Sequence, residues 1–300
     1  MDTKPKYSIG SEFVLLLAAI IWGFAFVAQK AGMDSIGPMA FNGIRFLLGA
    51  FTLLPLLYFT KSESNNEKSA GSLWIAGLIS GTVLFFAAST QQFGIVFTTA
   101  GNAGFITSLY VILVPVFGVF LNHKINSQTW IGALLALGGL YFLSVKENFT
   151  ISFGDLLVLG SAFVWALQVI LAGYYSVKFN VVKLAAIQFT LTGVASLVIS
   201  FFTEIYTWQN IVDALIPLLY GGIMSVALAF TLQLYGQRKA KPSHAAIILS
   251  TESVFAAFGG WLLLSENLSS REIAGAALML FGVMLSQIKL GSNSKRNHQP

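Results

Sequence analysis

Ten apolar runs, each close to the length that crosses a bilayer, leave this chain few choices of fold. They fall at residues 13–32, 38–60, 73–95, 99–121, 129–146, 153–176, 183–204, 211–236, 243–265 and 272–290, with short polar breaks such as Met33 to Pro38, Lys61 to Ser72 and Asn122 to Gln128. Within a bilayer every backbone N–H and C=O must find a partner in the protein. Runs of about 20 residues do so as helices, whereas barrel strands are shorter and alternate in polarity. The expectation is an all-α membrane protein with ten transmembrane helices, and 56% hydrophobic against 10% charged residues excludes a soluble domain.

The charges set the orientation. Of 17 Lys and Arg, 13 sort to one face (Lys4, Lys6, Lys61, Lys68, Lys124, Lys178, Lys183, Arg238, Lys239, Lys241, Lys289, Lys295, Arg296) and 3 to the other (Lys30, Lys146, Arg271), while Arg45 lies inside a helix. Basic loops stay in the cytoplasm, so both termini are placed there, as an even helix count requires. The formal charge of +5 therefore reports membrane orientation, not a nucleic-acid partner. Lys4 and Lys6 ahead of the first run imitate a signal peptide, but no A-x-A cleavage site follows, and the segment is expected to stay as helix 1. With no cysteine, disulfides, thiolate metal sites and a cysteine nucleophile are excluded. His123, His244 and His298 have no ligand spacing, so neither metal nor cofactor is expected.

The chain repeats itself. An offset of 143 lays Glu12 on Asp155, Trp22 on Trp165, and Ile44-Arg45-Phe46 on Ile187-Gln188-Phe189; an offset of 142 lays Gln91 on Gln233, Gly94 on Gly236, Tyr110 on Glu252 and Gly118 on Gly260. Gly132 and Gly139 then fall on Gly275 and Gly282 at 143 again, which places a one-residue slip near the third helix. The expected domains are 1–147 (helices 1–5) and 148–290 (helices 6–10), with 291–300 a polar cytoplasmic tail. Five helices per copy is an odd number, so the second copy enters the membrane from the opposite side. Inverted repeats of this kind suit alternating access around a site at their interface.

Glu252 stands in the middle of the apolar stretch Ile247 to Leu264. An ionisable residue there is a functional-site candidate, able to exchange a proton or bind a cation; the alternative is a structural hydrogen bond to a neighbouring helix. Arg45, the one intramembrane cation, can hold a substrate carboxylate bidentately, or it can pair with helix-end carbonyls or Glu252. Trp22 and Trp165 fall near mid-membrane, where an indole N–H wants a partner. They line a polar cavity or pack the core. Tyr110 and Gln168 are candidate cavity-lining groups. Gln91 and Gln233, toward opposite faces, are candidates for two gates or for helix–helix hydrogen bonds; Asn102, Thr107 and Gln188 face the same choice. Ser269 with Glu272 reads as a capping box and Pro242 as a first-turn proline. Gly132-Ala133 with Gly138-Gly139, and Ala274 to Ala277, suit close packing of helices 5 and 10.

The run Thr98 to Pro115, followed by Trp130 to Leu134, resembles helices 4 and 5 of the EamA branch of the drug/metabolite transporter superfamily. Trp22-Gly23, Arg45-Phe46, Glu252 to Phe255, Trp261 to Glu266 and Gly275 extend that resemblance over nearly the whole chain. It implies a ten-helix inverted-repeat transporter with cytoplasmic termini in the cell (inner or plasma) membrane, usually an exporter of small metabolites such as amino acids. Two departures stand out. Ser253 replaces a Pro that often follows the helix 9 glutamate, which removes the usual cause of a kink at Glu252, while helix 4 keeps Pro115; and His123 stands where the family often has Glu.

The reading is a secondary transporter of a small organic solute, monomeric or homodimeric, with protons as a second candidate partner through Glu252. Facilitated exchange without protons and a channel are the alternatives. No Walker A loop supplies ATP energy, and no H-E-x-x-H, intramembrane aspartate pair or G-x-S-x-G elbow supports an enzyme. The sequons at Asn148 and Asn267 map to the outer face and matter only in a glycosylating host.

Overall fold

The computed structural model describes residues 9–59, 70–122, 125–144, 152–264 and 269–287. His123, His298, the tail 291–300, the 147/148 boundary and both sequon asparagines lie outside the described residues. The first half holds α1 (Ile9–Gly32), α2 (Pro38–Thr52), α3 (Leu54–Phe59), α4 (Ala70–Val96), α5 (Ala100–Ser108), α6 (Tyr110–Phe120) and α7 (Ser127–Ser144). The second holds α8 (Phe153–Ser176), α9 (Val181–Thr203), α10 (Trp208–Asp213), α11 (Leu215–Leu219), a π-helix (Tyr220–Phe230), α12 (Thr231–Gln237), α13 (Pro242–Leu249), α14 (Glu252–Leu264) and α15 (Ser270–Gln287). Eight stretches among the described residues are long and apolar enough to span a bilayer: Gly10–Gly32, Pro38–Phe59, Gly71–Val96, Ala100–Phe120, Phe153–Ser176, Val181–Thr203, Leu215–Gln237 and Pro242–Leu263. The helices α7 and α15 are not among them.

Helix ends meet in ways that fix relative directions. The Lys30 ammonium donates to the carbonyls of Ile95 (2.9 Å) and Val96 (3.2 Å), so α1 and α4 finish on one face. A cation on the last, otherwise unpaired carbonyls of a helix also complements its dipole. The Glu204 carboxylate, just past α9, accepts from the N–H groups of Met39 (2.8 Å) and Ala40 (2.7 Å) at the start of α2. Pro38 occupies the first turn of α2, and a Cβ on Gly37 would lie 2.3 Å from the Glu204 carboxyl carbon, so only glycine admits this cap. Thr98, after α4, donates to Asp155 in the capping box that opens α8. At the other face Gly236 of α12 packs on Ser11 and Leu15 of α1.

Where helices cross, glycine lets backbones touch. A Cβ on Gly139 of α7 would sit 2.6 Å from the Gly275 carbonyl oxygen of α15, and one on Gly132 would sit 2.8 Å from that of Gly282. Lipid tails are as apolar as leucine, so association inside a bilayer relies on such close packing. The pairings come in exchanged sets: α4 packs on α8 as α1 packs on the π-helix and α12, α4 packs on α9 as α2 packs on the π-helix, and α2–α9 and α7–α15 pair across the two halves. The expected capping box at Ser269 and Glu272 is present, with Glu272 N–H donating to Ser269 Oγ at 3.2 Å and Ser269 N–H donating to Glu272 Oε2 at 2.7 Å. Pro242 is likewise in the first turn of α13.

Candidate functional site

Two of the membrane-length helices are interrupted at repeat-related points. One breaks at Leu109, between α5 and α6, and its N–H turns back to the Ile106 carbonyl at 3.2 Å. The other breaks at Ser250 and Thr251, between α13 and α14, where Thr251 N–H goes to the Ile248 carbonyl at 3.1 Å. Pro115 lies within α6 and does not coincide with its break. No proline is needed at the second break. The hydroxyls of Ser250, Thr251 and Ser253 donate to the carbonyls three residues earlier, at 2.8, 2.7 and 2.9 Å. Such back-bonding competes with the α-helical ladder and bends it. The missing Pro at 253 thus leaves the interruption in place by a different means.

The breaks bring the repeat-related residues together. Tyr110 is the first residue of α6 and Glu252 the first of α14, and the Tyr110 hydroxyl donates to Glu252 Oε1 at 3.0 Å. Ser108 Oγ donates to the same oxygen at a longer 3.4 Å. Only 4% of Glu252 is exposed. Both donors are neutral hydroxyls, able to bond the carboxyl in either protonation state.

Glu252 borders a cavity enclosing about 470 Å³ of empty space, counting its mouth. Trp22, Arg45, Tyr110, Trp165, Gln168 and Glu252 line it, as do Gln91, Thr107 and Gln233. Asn102 and Gln188 do not. Asn102 sits at the start of α5, its N–H donating to the cap residue Thr99 at 3.1 Å. Gln188 is buried on α9 beside Gly81 of α4. Gln91 and Gln233 face one cavity: Gln91 Nε2 donates to Thr107 Oγ1 at 2.8 Å, and Gln233 exchanges two bonds with Gln168, at 3.0 and 3.3 Å. Both are helix–helix hydrogen bonds.

Arg45 is 3% exposed, and its Nε donates to Asn42 Oδ1 at 3.0 Å. Asn42 in turn donates to the Ala88 carbonyl at 3.1 Å, which ties α2 to α4 and holds the guanidinium stem. The guanidinium lies 5.4 Å from the Phe41 ring centroid and 5.1 Å from that of Phe46. Aromatic faces attract a cation without neutralising it. Among the described residues no carboxylate forms an ion pair with Arg45, Glu252 included.

The remaining wall is aromatic. Trp22 and Trp165, repeat-related, flank a single ring, Phe230: Trp22 meets it edge-on at 4.7 Å and Trp165 stacks on it at 5.8 Å. Phe46 and Phe189, the next repeat-related pair, meet the same ring at 6.2 and 5.9 Å. At the offset of 142 the counterpart of Phe230 is Ala88, because two rings cannot share the space where the halves meet. Trp22 Nε1 donates to the Ser225 carbonyl of the π-helix at 3.2 Å, whereas Trp165 Nε1 is buried without a partner. π-segments concentrate at functional sites.

Sequence reasoning passed over Gln29, Phe26, Ser225, Val169 and Phe230, which also line the cavity. Gln29 carried a signal, since it follows Trp22 by two helical turns on the same face. Its Nε2 donates to the Ala25 carbonyl at 3.2 Å while its Oε1 is buried without a partner. The cavity is therefore lined by one donor and one acceptor buried without a partner, Trp165 Nε1 and Gln29 Oε1, together with the charged side chains of Arg45 and Glu252. Among the described residues no cluster of His, Asp and Glu can hold a metal ion.

Comparison with known proteins adds four findings. The sequence profile described as "EamA-like transporter family" matches residues 10–145 and again 152–287. An "Uncharacterized transporter" of Archaeoglobus fulgidus is 32% identical over 281 residues, spanning 93% of this chain and 86% of the relative. The "Uncharacterized transporter YoaV" of Bacillus subtilis is 28% identical, over 91% of this chain and 94% of its own. A solved crystal structure, 16% identical, superposes with a TM-score of 0.75 over 94% of this chain and 97% of that one, a likeness of fold.

Proposed function

Since this chain belongs to the EamA-like transporter family, and is thus a multi-pass membrane transporter and not an enzyme, we propose that it moves a small organic solute by alternating access around the cavity at Glu252. The observation that carries this reading is the meeting of two interrupted helices at the Tyr110–Glu252 pair, with Arg45, which forms no ion pair among the described residues, lining the same cavity. Broken helices at a repeat interface are the usual setting of a transporter's binding site.

In this reading α7 and α15 are the fifth and tenth membrane helices, the halves are 1–147 and 148–290, and both termini face the cytoplasm. Helix directions support inversion. The start of α2 meets the end of α9, α4 and α12 end on opposite faces, and the glycine contacts of α7 with α15 run antiparallel. Repeat-related helices thus point in opposite directions.

Arg45 and Trp165 suit a carboxylate, Glu252 and Gln29 suit an ammonium group, and the rings of Trp22, Phe26 and Phe230 suit an apolar body. An amino acid or similar amphipathic zwitterion is the cargo we favour, with export as its direction. Glu252 is the candidate proton carrier, because its hydroxyl partners tolerate both protonation states and its side chain lines the cavity. A facilitative exchanger without protons is the second reading, favoured if the Tyr110 bond holds Glu252 in one state throughout.

Liposomes containing the purified chain, a labelled amino-acid panel and an imposed pH gradient test these readings together. Gradient-driven flux is expected, and it is expected to vanish in Glu252→Gln while counterflow persists. Flux indifferent to both gradient and substitution would leave a carrier without proton coupling. No flux of any panel member would remove the amino-acid reading.

A further inference from the structure

At the start of α13 the second half lacks a cap that the first half has. Thr99 precedes α5, and its hydroxyl oxygen accepts from Asn102 N–H at 3.1 Å. At the offset of 142 the same position is Lys241, which has no side-chain acceptor, and α13 begins without a side-chain cap. Pro242 occupies the first turn and has no N–H, so the first donor of α13 is the Ser243 N–H. A cation at the positive end of a helix is the reverse of what the dipole favours. The molecule itself shows what such a start accepts. Helix α2 also opens on Pro, after Gly37, whose backbone (φ −66°, ψ 159°) nearly matches that of Lys241 (φ −66°, ψ 146°). There the Glu204 carboxylate takes the N–H groups of Met39 and Ala40.

Beside α13 lies a pocket of about 820 Å³, counting its mouth, lined by Asn122 after α6, by Asn126 and Thr129 at the start of α7, and by Lys241, Ser243 and His244. His244 ties α13 to Thr129 at 2.8 Å, and the start of α7 is already capped, with Thr129 N–H donating to Asn126 Oδ1 at 2.9 Å. Ser243 is the independent sign of a ligand. It is only 9% exposed and lines this pocket, yet its hydroxyl has no partner among the described residues. Buried hydroxyls are ordinarily hydrogen-bonded. Lys241 is exposed and likewise forms no side-chain hydrogen bond or ion pair among the described residues. No carboxylate lines the pocket. The sequence holds no Asp or Glu from 68 to 146 or from 214 to 251, so neither stretch that walls it can supply the acid.

We propose that this pocket binds one phosphate group, its oxygens taking the Ser243 N–H and hydroxyl and the Lys241 ammonium group. A helix start is a ready anion site, and phosphate brings more charge and more acceptor oxygens than a carboxylate to this set of donors. Arg238 and Lys239, exposed in the same turn, add to the positive field. The pocket is far larger than the ion, which leaves room for the body that carries it, a lipid backbone or a small soluble ester. The site lies on the face that the charge bias assigns to the cytoplasm. It shares no lining residue with the cargo cavity and does not depend on what the transporter carries.

Equilibrium dialysis of radiolabelled inorganic phosphate against the purified full chain in neutral detergent tests the assignment. One saturable site per chain is expected. Lys241→Gln and Ser243→Ala should each weaken binding about tenfold, as expected for loss of a hydrogen bond in which one partner is charged. Lys239→Gln removes the same charge outside the pocket and should leave binding nearly unchanged, as should Arg45→Gln in the cargo cavity. Circular dichroism checks that each variant keeps its helix content. Competition then assigns the source. Displacement of the label by short-chain phosphatidic acid but not by glycerol phosphate points to a lipid headgroup, displacement by glycerol phosphate to a soluble ester, and displacement by neither to inorganic phosphate itself. Absence of saturable binding would overturn the proposal, as would unaltered binding in Ser243→Ala. So would equal losses in Lys239→Gln and Lys241→Gln, which report general attraction to a basic turn, or a loss confined to Arg45→Gln, which moves the ion to the cargo cavity.

Discussion

Tyr110 and Glu252 occupy one position in the two halves, and Arg45 and Gln188 occupy another, yet the pairs behave differently. The first two residues each open the second segment of a broken helix and end in contact across the halves, one as donor and the other as acceptor. The second two separate: Arg45 borders the cavity, while Gln188 is buried against α4 with its Nε2 unpartnered. Helix caps show the same divergence. The start of α9 is capped locally by Asn180, at 3.0 and 3.1 Å, but the equivalent start of α2 borrows Glu204 from the other half. Duplication accounts for the scaffold, and the chemistry lies where the copies differ. A site on a two-fold relation needs unlike residues to bind an unsymmetrical molecule.

The largest effect should come from exchanging that chemistry. Tyr110→Glu alone places two carboxyls in contact and is expected to abolish transport, as is Glu252→Tyr alone. The double exchange restores one donor and one acceptor, and should recover measurable counterflow in liposomes. If the double variant is as inactive as either single one, the two positions are not interchangeable.

Phe230 and Ala88 give the next test. Removing a buried ring costs about 3–5 kcal/mol, so Phe230→Ala should lower the detergent melting temperature markedly and widen the cavity between Trp22 and Trp165. Ala88→Gly, at the repeat-related site, should cost only about 1 kcal/mol. Similar losses at the two sites would argue that Phe230 is not the ring shared by both halves.

Arg45→Gln makes the first half resemble the second at that position. Loss of a charge-assisted hydrogen bond is worth about 2 kcal/mol, roughly 30-fold in affinity. The apparent KM for a carboxylate-bearing solute should rise accordingly with little change in maximal rate. Gln188→Ala should leave KM unaltered.

The smallest effects belong to the caps. Glu204→Gln and Asn180→Ala should each cost about 1 kcal/mol. Only the first loosens contact between the halves, which hydrogen exchange at Met39 and Ala40 would report. Equal exchange in both variants would show that the borrowed cap is no more than a local one.

Much of this was open to sequence reading. The apolar runs, the repeat and the candidates Glu252, Arg45, Tyr110, Trp22, Trp165 and Gln168 stand out through residue type and spacing alone, and all six border one cavity. Asn102 and Gln188 were chosen by the same criterion and do not, because a polar residue in an apolar helix faces a cavity or a neighbouring helix with equal ease. Phe230 was hidden among 26 phenylalanines.

What the chain determines by itself is the solvent it needs and the elements it forms, since hydropathy, charge bias and internal repetition are properties of neighbouring residues. Which residues touch was decided by the tertiary structure alone. The Tyr110–Glu252 bond spans 142 positions and the Met39–Glu204 cap 165. The second helix break has no proline to announce it, and depends on three hydroxyls all turning inward to their own backbone. Contacts of that kind arise only when packed helices bury polar groups together and leave each group no partner except the one across from it.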